Sequence, residues 1–571
     1  MNDIRRTILW VSFAFSLIML WDQWQVHNGK KPTFLPSSAP AASASAPASA
    51  AQAAGSTPSA VPTSNAGTSS AAVPGEVPAG AASATPRERV EVATDVLKLT
   101  FDTEGGTIVH SEFLKHKDME HAGAPFVLFD TSGNRVYQAQ TGLIGGNFPN
   151  HKTPMKFSGE RTLPDGTNEL VLRFESDPVG GVRLVKTYTL KRGSYVVDVR
   201  HEVVNASGQA VNPQLYMQLV RDGNKGPGES SFYTTFTGPA FYTDAKKFQK
   251  VAFTDIEKGK ADFVKQSPDG WVAMVQHYFA SAWLPTPGKE HENFARKVGD
   301  NLYAAGLIAP VGAVAPGATL AVDSRLFVGP QEEKMLESIA PGLELVKDYG
   351  FFTILSKPLY WLLDKLHGVL GNWGWSIVAL VVLLKIAFYW FNAKAYQSMA
   401  KMKAINPKIT ELRERYKDNP QQMQMEMMRV YREEKVNPMG GCLPIVIQIP
   451  VFMALYWVLQ SSVEIRNAPW IGWIHDLSVP DPFFILPLLM TLSSLLQTAL
   501  NPAPPDPMQA KMMWIMPLMF SVMFFFFPSG LVLYWLTNNI LSIAQQWIIN
   551  KRMGVPPQFN LPKFGKAAEG K

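Results

Sequence analysis

The chain has 571 residues, of which 46% are hydrophobic, and a formal net charge of +6 with a pI near 9.0. Its mean hydropathy of -0.01 averages a polar first half and an apolar last third, which predicts a membrane protein with a large soluble domain. The positive charge favours anionic partners such as lipid headgroups or ribosomal RNA. The single cysteine, Cys442, excludes an internal disulfide framework and any multi-cysteine metal site.

The first 24 residues have the pattern of a membrane anchor. Arg5 and Arg6 precede an apolar run from Ile8 to Trp21, and no small-x-small cleavage motif follows it directly. We therefore predict a transmembrane anchor over 1–24 with its N-terminus inside, while the alanine-rich sequence after Ala39 leaves later cleavage open. Residues 25–87 are mostly Ala, Ser, Pro, Gly and Thr, which predicts a flexible linker.

Residues 88–335 have the alternation of β-strands. Leu170, Leu172 and Phe174 alternate with polar residues, and many short strands with Gly and Pro punctuation predict an all-β sandwich. A sandwich of this size could bind a sugar or a peptide. Its scattered histidines show neither a metal-ligand spacing nor a nucleophile motif, so no metal ligand or catalytic residue is predicted among them. These histidines are His110, His116, His121 and His151.

An amphipathic helix is predicted over 348–371, ahead of the first span of the last third. Its apolar residues recur at helical spacing, which favours a position in the outer membrane interface. They are Leu359, Leu362, Leu363, Leu366 and Val369.

One charge interrupts the apolar run from Trp375 to Phe391. Lys385 lies about 15 Å from Trp375 at 1.5 Å per residue, near the middle of a hydrocarbon layer of about 30 Å. A lysine at that depth costs about 2.5–3.5 kcal/mol, so it normally faces a protein interior or a hydrated cavity. The functional interpretation is therefore a charge in a groove. The structural alternative is a lysine that extends to a headgroup or pairs inside a helix bundle.

Five transmembrane helices are predicted in the last third, and with the anchor they make six spans. Their predicted bounds are 374–393, 441–461, 482–501, 511–528 and 530–550. Prolines, amides and hydroxyls interrupt several of them, which indicates a partly polar bundle interior. Gln448, Gln497 and Asn538 are candidates to contact a substrate there, although for any one of them we favour a contact between helices.

Basic residues concentrate between the first two of these helices, which predicts a cytoplasmic hairpin over 394–438 and a basic cytoplasmic tail over 551–571. The same rule places the β domain outside and both termini inside. In the second hairpin helix, Met423, Met427, Arg429 and Arg432 are candidates to bind a partner. The alternative for the methionines is that they pack the hairpin together.

Four motifs carry a resemblance to a known family. They are NPMGGCLP (437–444), WIHDLS with a following DP (473–482), DPMQ (506–509) and FPSGLVLYW (527–535). Together they resemble the YidC family of bacterial membrane protein insertases, in order and spacing from about Tyr349 to Ile549. The anchor, linker and β domain match the organisation of the Gram-negative members.

The resemblance implies a five-helix core that encloses a hydrophilic groove and takes no cofactor. The family's groove cation, usually Arg, corresponds to Lys385, which keeps the charge but lacks the forked geometry of Arg. The family's paired aromatic residues, proposed to contact the client helix, correspond to Tyr534 and Trp535. The expected location is the bacterial inner membrane. The expected partners are nascent membrane proteins, the Sec translocon, the ribosome and membrane lipids, with no DNA partner.

Two other functions remain alternatives at this point. A buried lysine among polar helix positions also suits an ion or solute transporter or channel, which would predict inverted repeats that we do not find. An enzyme acting through the β domain would need paired acid and base groups in one groove. No GxxxxGK[ST] phosphate loop is present, which agrees with an insertase that uses no nucleotide and is not an enzyme.

Overall fold

The computed structural model describes residues 87–118, 121, 123–133, 135–226, 235–417, 419–434, 443–501, 507–554 and 559. The predicted anchor, nearly all of the linker and most of the basic tail lie outside these residues. The described chain forms two compact units, a β domain up to Asp348 and a helical unit from Tyr349.

The β domain consists of two nine-stranded sheets. The first has the order β1-β2-β3-β5-β10-β17-β16-β13, with β4 beside β3, and the second has the order β12-β11-β14-β15-β18-β9-β8-β7-β6. The strands are β1 Arg89–Ala93, β2 Leu97–Asp102, β3 Thr107–Lys117, β4 Pro125–Val127, β5 Tyr137–Ile144, β6 Met155–Gly159, β7 Glu169–Ser176, β8 Val182–Lys191, β9 Val196–Asn205, β10 Gln214–Asp222, β11 Gly238–Thr243, β12 Lys247–Lys250, β13 Gln266–Ser267, β14 Trp271–Val275, β15 Phe279–Pro285, β16 His291–Gly299, β17 Leu302–Pro310 and β18 Thr319–Pro330. Two short helices, α1 Phe253–Glu257 and α2 Glu333–Ile339, complete it.

The two sheets pack face to face, as the predicted sandwich requires. The hydroxyl of Tyr137 on β5 donates to the carbonyl of Met274 on β14, and the indole of Trp283 on β15 donates to the carbonyl of Gln218 on β10. Phe126 stacks on Phe279 with 3.9 Å between ring centroids. Buried aromatic side chains with satisfied polar groups therefore hold the sheets together.

A lysine lies inside this sandwich. Lys186 on β8 has no exposed surface, and its ammonium group donates to the carbonyls of Gly105 and Thr141 at 2.6 and 2.7 Å. Burial lowers the pKa of Lys186 to about 7. Its strand neighbour His201 bonds the Thr141 hydroxyl at 3.0 Å. The strand pattern alone did not predict this cluster.

The helical unit contains eight α-helices among its described residues. They are α3 Thr353–Leu370, α4 Trp373–Ala387, α5 Tyr389–Arg415, α6 Pro420–Glu433, α7 Leu443–Ser461, α8 Ile485–Leu500, α9 Pro507–Phe524 and α10 Ser529–Arg552. They cover the five predicted spans, the amphipathic helix and the hairpin, with ends that differ by a few residues from the predicted bounds.

The helix predicted over 374–393 is interrupted in the structure. α4 ends at Ala387 and α5 begins at Tyr389, and the two helices meet at 68°. The direction changes near the point where the composition changes from apolar to charged. In the part of the chain that the structure describes, no single helix is long and apolar enough to cross a membrane, whereas α4 and α5 together meet that test up to Met402. The number of spans stays a prediction.

Two of the family-like motifs make hydrogen bonds that hold the loop before α8. Asp481 is 1% exposed, and its carboxylate accepts hydrogen bonds from the Trp473 indole and from the backbone N–H groups of Phe483 and Leu486. These bonds fix the loop that leads into α8. Ser529 donates from both its backbone N–H and its hydroxyl to the carbonyl of Val479, which anchors the start of α10 on the same loop.

The predicted amphipathic helix corresponds to α3, and its position in the membrane interface stays a prediction. Leu359 and Leu363 are buried against the helical unit, and Tyr360 donates a hydrogen bond to Glu464. The largest exposed apolar surfaces of α3 are Ile354 and Val369, at 92% and 84% exposure. Most of the predicted apolar stripe therefore packs on the bundle, and only Val369 at its end belongs to the exposed apolar surface.

Candidate functional site

Four helices meet at a small pocket that contains polar groups between apolar walls. It is lined by Val381, Leu384, Lys385, Phe388, Asn392, Gln448, Val451, Tyr534 and Asn538. The sequence analysis singled out four of these, Lys385, Gln448, Tyr534 and Asn538. The structure thus brings residues from α4, α7 and α10 together around one cavity.

Lys385 lies in the last turn of α4, where a cation interacts favourably with the negative end of the helix dipole. Its ammonium group donates to the hydroxyl of Ser542 at 2.7 Å, and that hydroxyl donates to the carbonyl of Asn538 at 2.7 Å. No carboxylate within the described residues pairs with it. The pocket therefore contains a half-buried positive charge that is held by neutral groups.

Tyr534 is 2% exposed, and its hydroxyl accepts a hydrogen bond from the Gln448 side chain at 2.7 Å. This bond joins α7 to α10 across the pocket. Asn392 and Asn538 add two amide side chains to the lining. A bound group would thus meet the Tyr534 hydroxyl through the pocket and not on an open surface.

Two other candidates lie outside this lining. Trp535 packs among aromatic residues, with its ring centroid 4.6 Å from Phe452 and 5.2 Å from Phe524. Gln497 is half-buried on α8. The Asn539 amide of α10 donates to Ser493 and Ser494 on α8. Asn539 therefore makes a contact between helices.

The hairpin divides the candidate methionines between two environments. Met427 packs with Ile405 and Ile409 in the small hairpin core, in agreement with the structural alternative for that residue. Met423 is half-buried, whereas its neighbours Met425 and Met428 are 64% and 50% exposed. The sequence candidates therefore missed the two more exposed methionines.

Both candidate arginines of the hairpin are exposed. The Arg429 guanidinium donates to the Glu433 carboxylate at 2.9 Å, and the Arg432 guanidinium donates to the carbonyl of Met428 at 3.4 Å. An anionic partner of Arg429 would have to compete with Glu433.

Sequence reasoning missed two residues at the pocket, Asn392 and Ser542. Asn392 reaches the lining because α5 turns away from α4 after Phe388. Ser542 lies eight residues after Tyr534 on the same helix, a spacing that places both near one face at 3.6 residues per turn. A search for small hydroxyls on the Tyr534 face would have found it.

Within the described residues, no group of three or more His, Cys, Asp or Glu side chains could hold a metal ion. The polar groups that line the pocket are amides, a hydroxyl and an ammonium group, and this lining includes no pair of carboxylates. Such groups can stabilise polar or anionic segments by hydrogen bonds and charge.

The sequence matches known proteins over nearly its whole length. A family model described as YidC periplasmic domain matches residues 89–362, and one described as 60Kd inner membrane protein matches residues 365–555. The chain is 57% identical over 556 residues to a protein of Cupriavidus taiwanensis named membrane protein insertase YidC, which covers 97% of this chain and 98% of the relative. A Bordetella pertussis protein of the same name is 52% identical over 566 residues, with 96% and 98% coverage.

A solved active YidC insertase is also similar, with 18% identity, a TM-score of 0.38, and 81% and 92% of the two chains covered. The relatives' names describe insertion, which is not an enzymatic role, and they give no support to the transporter alternative. Because more than half of the residues are identical over nearly the full length of both chains, the family is established. The chain belongs to the YidC family of membrane protein insertases, with the family's periplasmic domain followed by its inner membrane region.

Proposed function

We propose that this chain inserts nascent membrane proteins through the Lys385 pocket. The observation that supports this site is a lysine in an apolar helix that is bonded to a hydroxyl, faces a cavity, and has no carboxylate partner within the described residues. A polar segment of a client protein would enter the pocket while the client's apolar helix passes into lipid. The pocket would supply a temporary polar environment for the segment that must cross.

The charge has a magnitude that suits this role. An acidic residue at the centre of a membrane helix costs about 2.5–3.5 kcal/mol. A cation at about 4 Å offers about 4 kcal/mol of attraction at an effective dielectric constant of about 20. One lysine would therefore offset the cost of one acidic residue in the crossing segment, without any nucleotide.

The amides that line the pocket extend this effect to neutral polar groups. Asn392, Gln448 and Asn538 can donate and accept hydrogen bonds, so a client backbone or side chain would exchange water for protein partners. A buried polar group without such a partner costs about 1–3 kcal/mol. The same groups favour a hydrated cavity when no client is bound.

The release step would use apolar burial. α9 exposes Met519 and Val522, each at 63%, and Phe520 at 50%, which provides an apolar surface beside the polar interior. Transfer of about 20 apolar residues of a client helix into lipid is favourable by itself. The pocket therefore needs to lower only the barrier for the polar flank of the client.

The proposed arrangement has six spans in the bacterial inner membrane, with both termini and the hairpin cytoplasmic and the β domain periplasmic. The distribution of Lys and Arg supports this orientation. The exposed Met425, Met428 and Arg432 would contact a ribosome or a targeted chain, and the Sec translocon is a proposed partner for larger clients. The basic tail would bind ribosomal RNA or lipid headgroups.

Purified protein in liposomes tests the function directly. A short two-helix client with an acidic crossing segment is added, and the protease-protected fraction is measured for wild type, Lys385→Ala and Lys385→Arg. We expect wild type to protect the client without nucleotide, Lys385→Arg to retain this activity, and Lys385→Ala to lose about a hundredfold in rate, the equivalent of about 3 kcal/mol.

Lys365→Ala is the matched control, because Lys365 is an exposed lysine of α3 outside the pocket. It should insert the client at the wild-type rate. Protection by wild type no better than by empty liposomes would contradict autonomous insertion. Equal rates for wild type and Lys385→Ala would leave insertion intact and contradict the role of the pocket charge.

A further inference from the structure

A second groove shares only Lys385 with the pocket. It has a volume of about 760 Å³ and runs between α10 and the end of α4. Its lining comprises Val382, Lys385, Ile386 and Tyr389 on one side and Leu541, Ala544, Gln545, Ile548 and Arg552 on the other. Both sets follow the three- and four-residue spacing of one helix face, so the groove follows the two helices lengthwise.

The length of the groove matches one membrane leaflet. Leu541 and Arg552 are eleven residues apart on α10, which is about 16 Å at 1.5 Å per residue. Half of a hydrocarbon layer of about 30 Å has nearly the same thickness. An extended acyl chain could therefore follow the groove from end to end.

The two ends of the groove differ in chemistry. Ile386 and Ile548, at 66% and 45% exposure, provide apolar walls. At the last residue of α10, the Arg552 guanidinium has no hydrogen-bond or ion-pair partner among the residues that the structure describes. The adjacent Lys551 instead places its ammonium group 5.5 Å from the Trp547 ring. A cation at the end of an apolar groove fits an amphipathic ligand with an anionic head.

We propose that this groove binds one anionic phospholipid, with its phosphate at Arg552 and an acyl chain along Ile386, Leu541 and Ile548. The end of that chain would contact the methylene groups of Lys385, whose ammonium group is bonded to Ser542 in the pocket. The lipid would thus complete the wall behind the pocket. A soluble anion could not use the apolar walls, and an uncharged lipid would leave the Arg552 charge without its partner.

Native mass spectrometry of the purified, delipidated full chain in detergent tests this proposal independently of insertion. Phosphatidylglycerol and phosphatidylcholine with identical acyl chains are titrated separately. We expect wild type to bind phosphatidylglycerol more tightly. Arg552→Gln should weaken that binding about fivefold, which corresponds to about 1 kcal/mol. It should weaken phosphatidylcholine binding less, because the choline group of that lipid offsets the charge of its phosphate. Lys365→Gln, at an exposed lysine of α3 outside the groove, is the control and should bind like wild type.

Ala544→Trp tests the groove itself, because this exposed alanine lies in the lining and a large side chain would fill the space. Both lipids should lose affinity by tenfold or more. Ile540→Trp, at an exposed position of α10 outside the groove, should have no effect. Equal affinity of wild type for the two lipids, or no change in Arg552→Gln or Ala544→Trp, would overturn the proposal. Displacement of the lipid by a client helix peptide would also overturn it, since the groove would then be a client site.

Discussion

The β domain and the helical unit each contain a lysine within the fold, and the two lysines have opposite surroundings. Lys186 is completely buried between sheets and donates to two backbone carbonyls. Lys385 is half-buried, donates to one side-chain hydroxyl and faces a cavity. The first site leaves no room for a ligand, whereas the second leaves room and hydrogen-bonding capacity.

A buried charge alone therefore does not identify a functional site. A charge whose partners are supplied by the fold stabilises one structure, and its removal leaves those partners unpaired. A charge that faces a cavity can exchange partners with a client. The two lysines should therefore respond to substitution in different assays, the first in stability and the second in insertion.

Lys186→Ala should produce the largest effect on stability. The substitution creates a cavity and removes the donor from two carbonyls, so we expect the β domain to lose about 3–5 kcal/mol. Hydrogen exchange at β8 and β9 in the full chain measures this loss. Lys191→Ala is the control, since that lysine is exposed at the end of the same strand and should cost less than about 1 kcal/mol. An equal effect of both substitutions would contradict the structural role of Lys186.

Asp481→Ala extends the test to the helical unit, because the buried Asp481 carboxylate has its hydrogen-bond partners supplied by the fold. Its carboxylate accepts three hydrogen bonds in the loop before α8. We expect a loss of about 2 kcal/mol in unfolding by detergent titration. Among the residues that the structure describes, the Asp476 carboxylate accepts hydrogen bonds from Ser478 alone, so Asp476→Ala should cost less. If Asp481→Ala kept full stability but lost insertion, the burial of a charge among partners from the fold would not predict a structural role.

The pH dependence of the β domain should show the smallest effect. Burial, with a contribution from the nearby Lys186 charge, lowers the pKa of His201 to about 3. Below an unfolded-state pKa of about 6.5, the unfolded chain therefore binds a proton that the native domain excludes, and stability falls as the pH decreases. We expect about 1–2 kcal/mol less stability at pH 5 than at pH 7. His201→Gln should reduce this slope in the same exchange measurement, and an unchanged slope would contradict the assignment.

Sequence patterns predicted the architecture of both units because periodicity reports which side of an element is buried. The alternation of Leu170, Leu172 and Phe174 corresponds to β7, and the asparagine before Pro420 begins α6 as an N-cap. Strand alternation places Lys186 on the same face as the buried Leu184 and Tyr188, but it did not reveal the burial of Lys186, because a lysine is rarely fully buried unless it has partners. Its burial depends on contacts with Gly105 and Thr141, which are distant in sequence.

The pocket was predictable in part. Lys385, Gln448 and Asn538 stood out as polar groups in apolar helices, Tyr534 came from the family resemblance, and three helices bring the four together. The interruption at Phe388 was not predicted, since no proline or glycine marks it, and Asn392 was therefore missed. The burial of Tyr534 behind Gln448 also depends on the packing of α7 against α10, which no local pattern contains.

In the proposed function, the charge at Lys385 assists the passage of a client's polar segment. The most direct measurement is a charge-exchange experiment in liposomes, with clients that carry Asp, Asn or Lys at one position of the crossing segment. Wild type should insert these clients in the order Asp, Asn, Lys, and Lys385→Glu should reverse that order because the attraction changes sign. The same order for both proteins would contradict the claim, since the client's charge would then not sense the charge in the pocket.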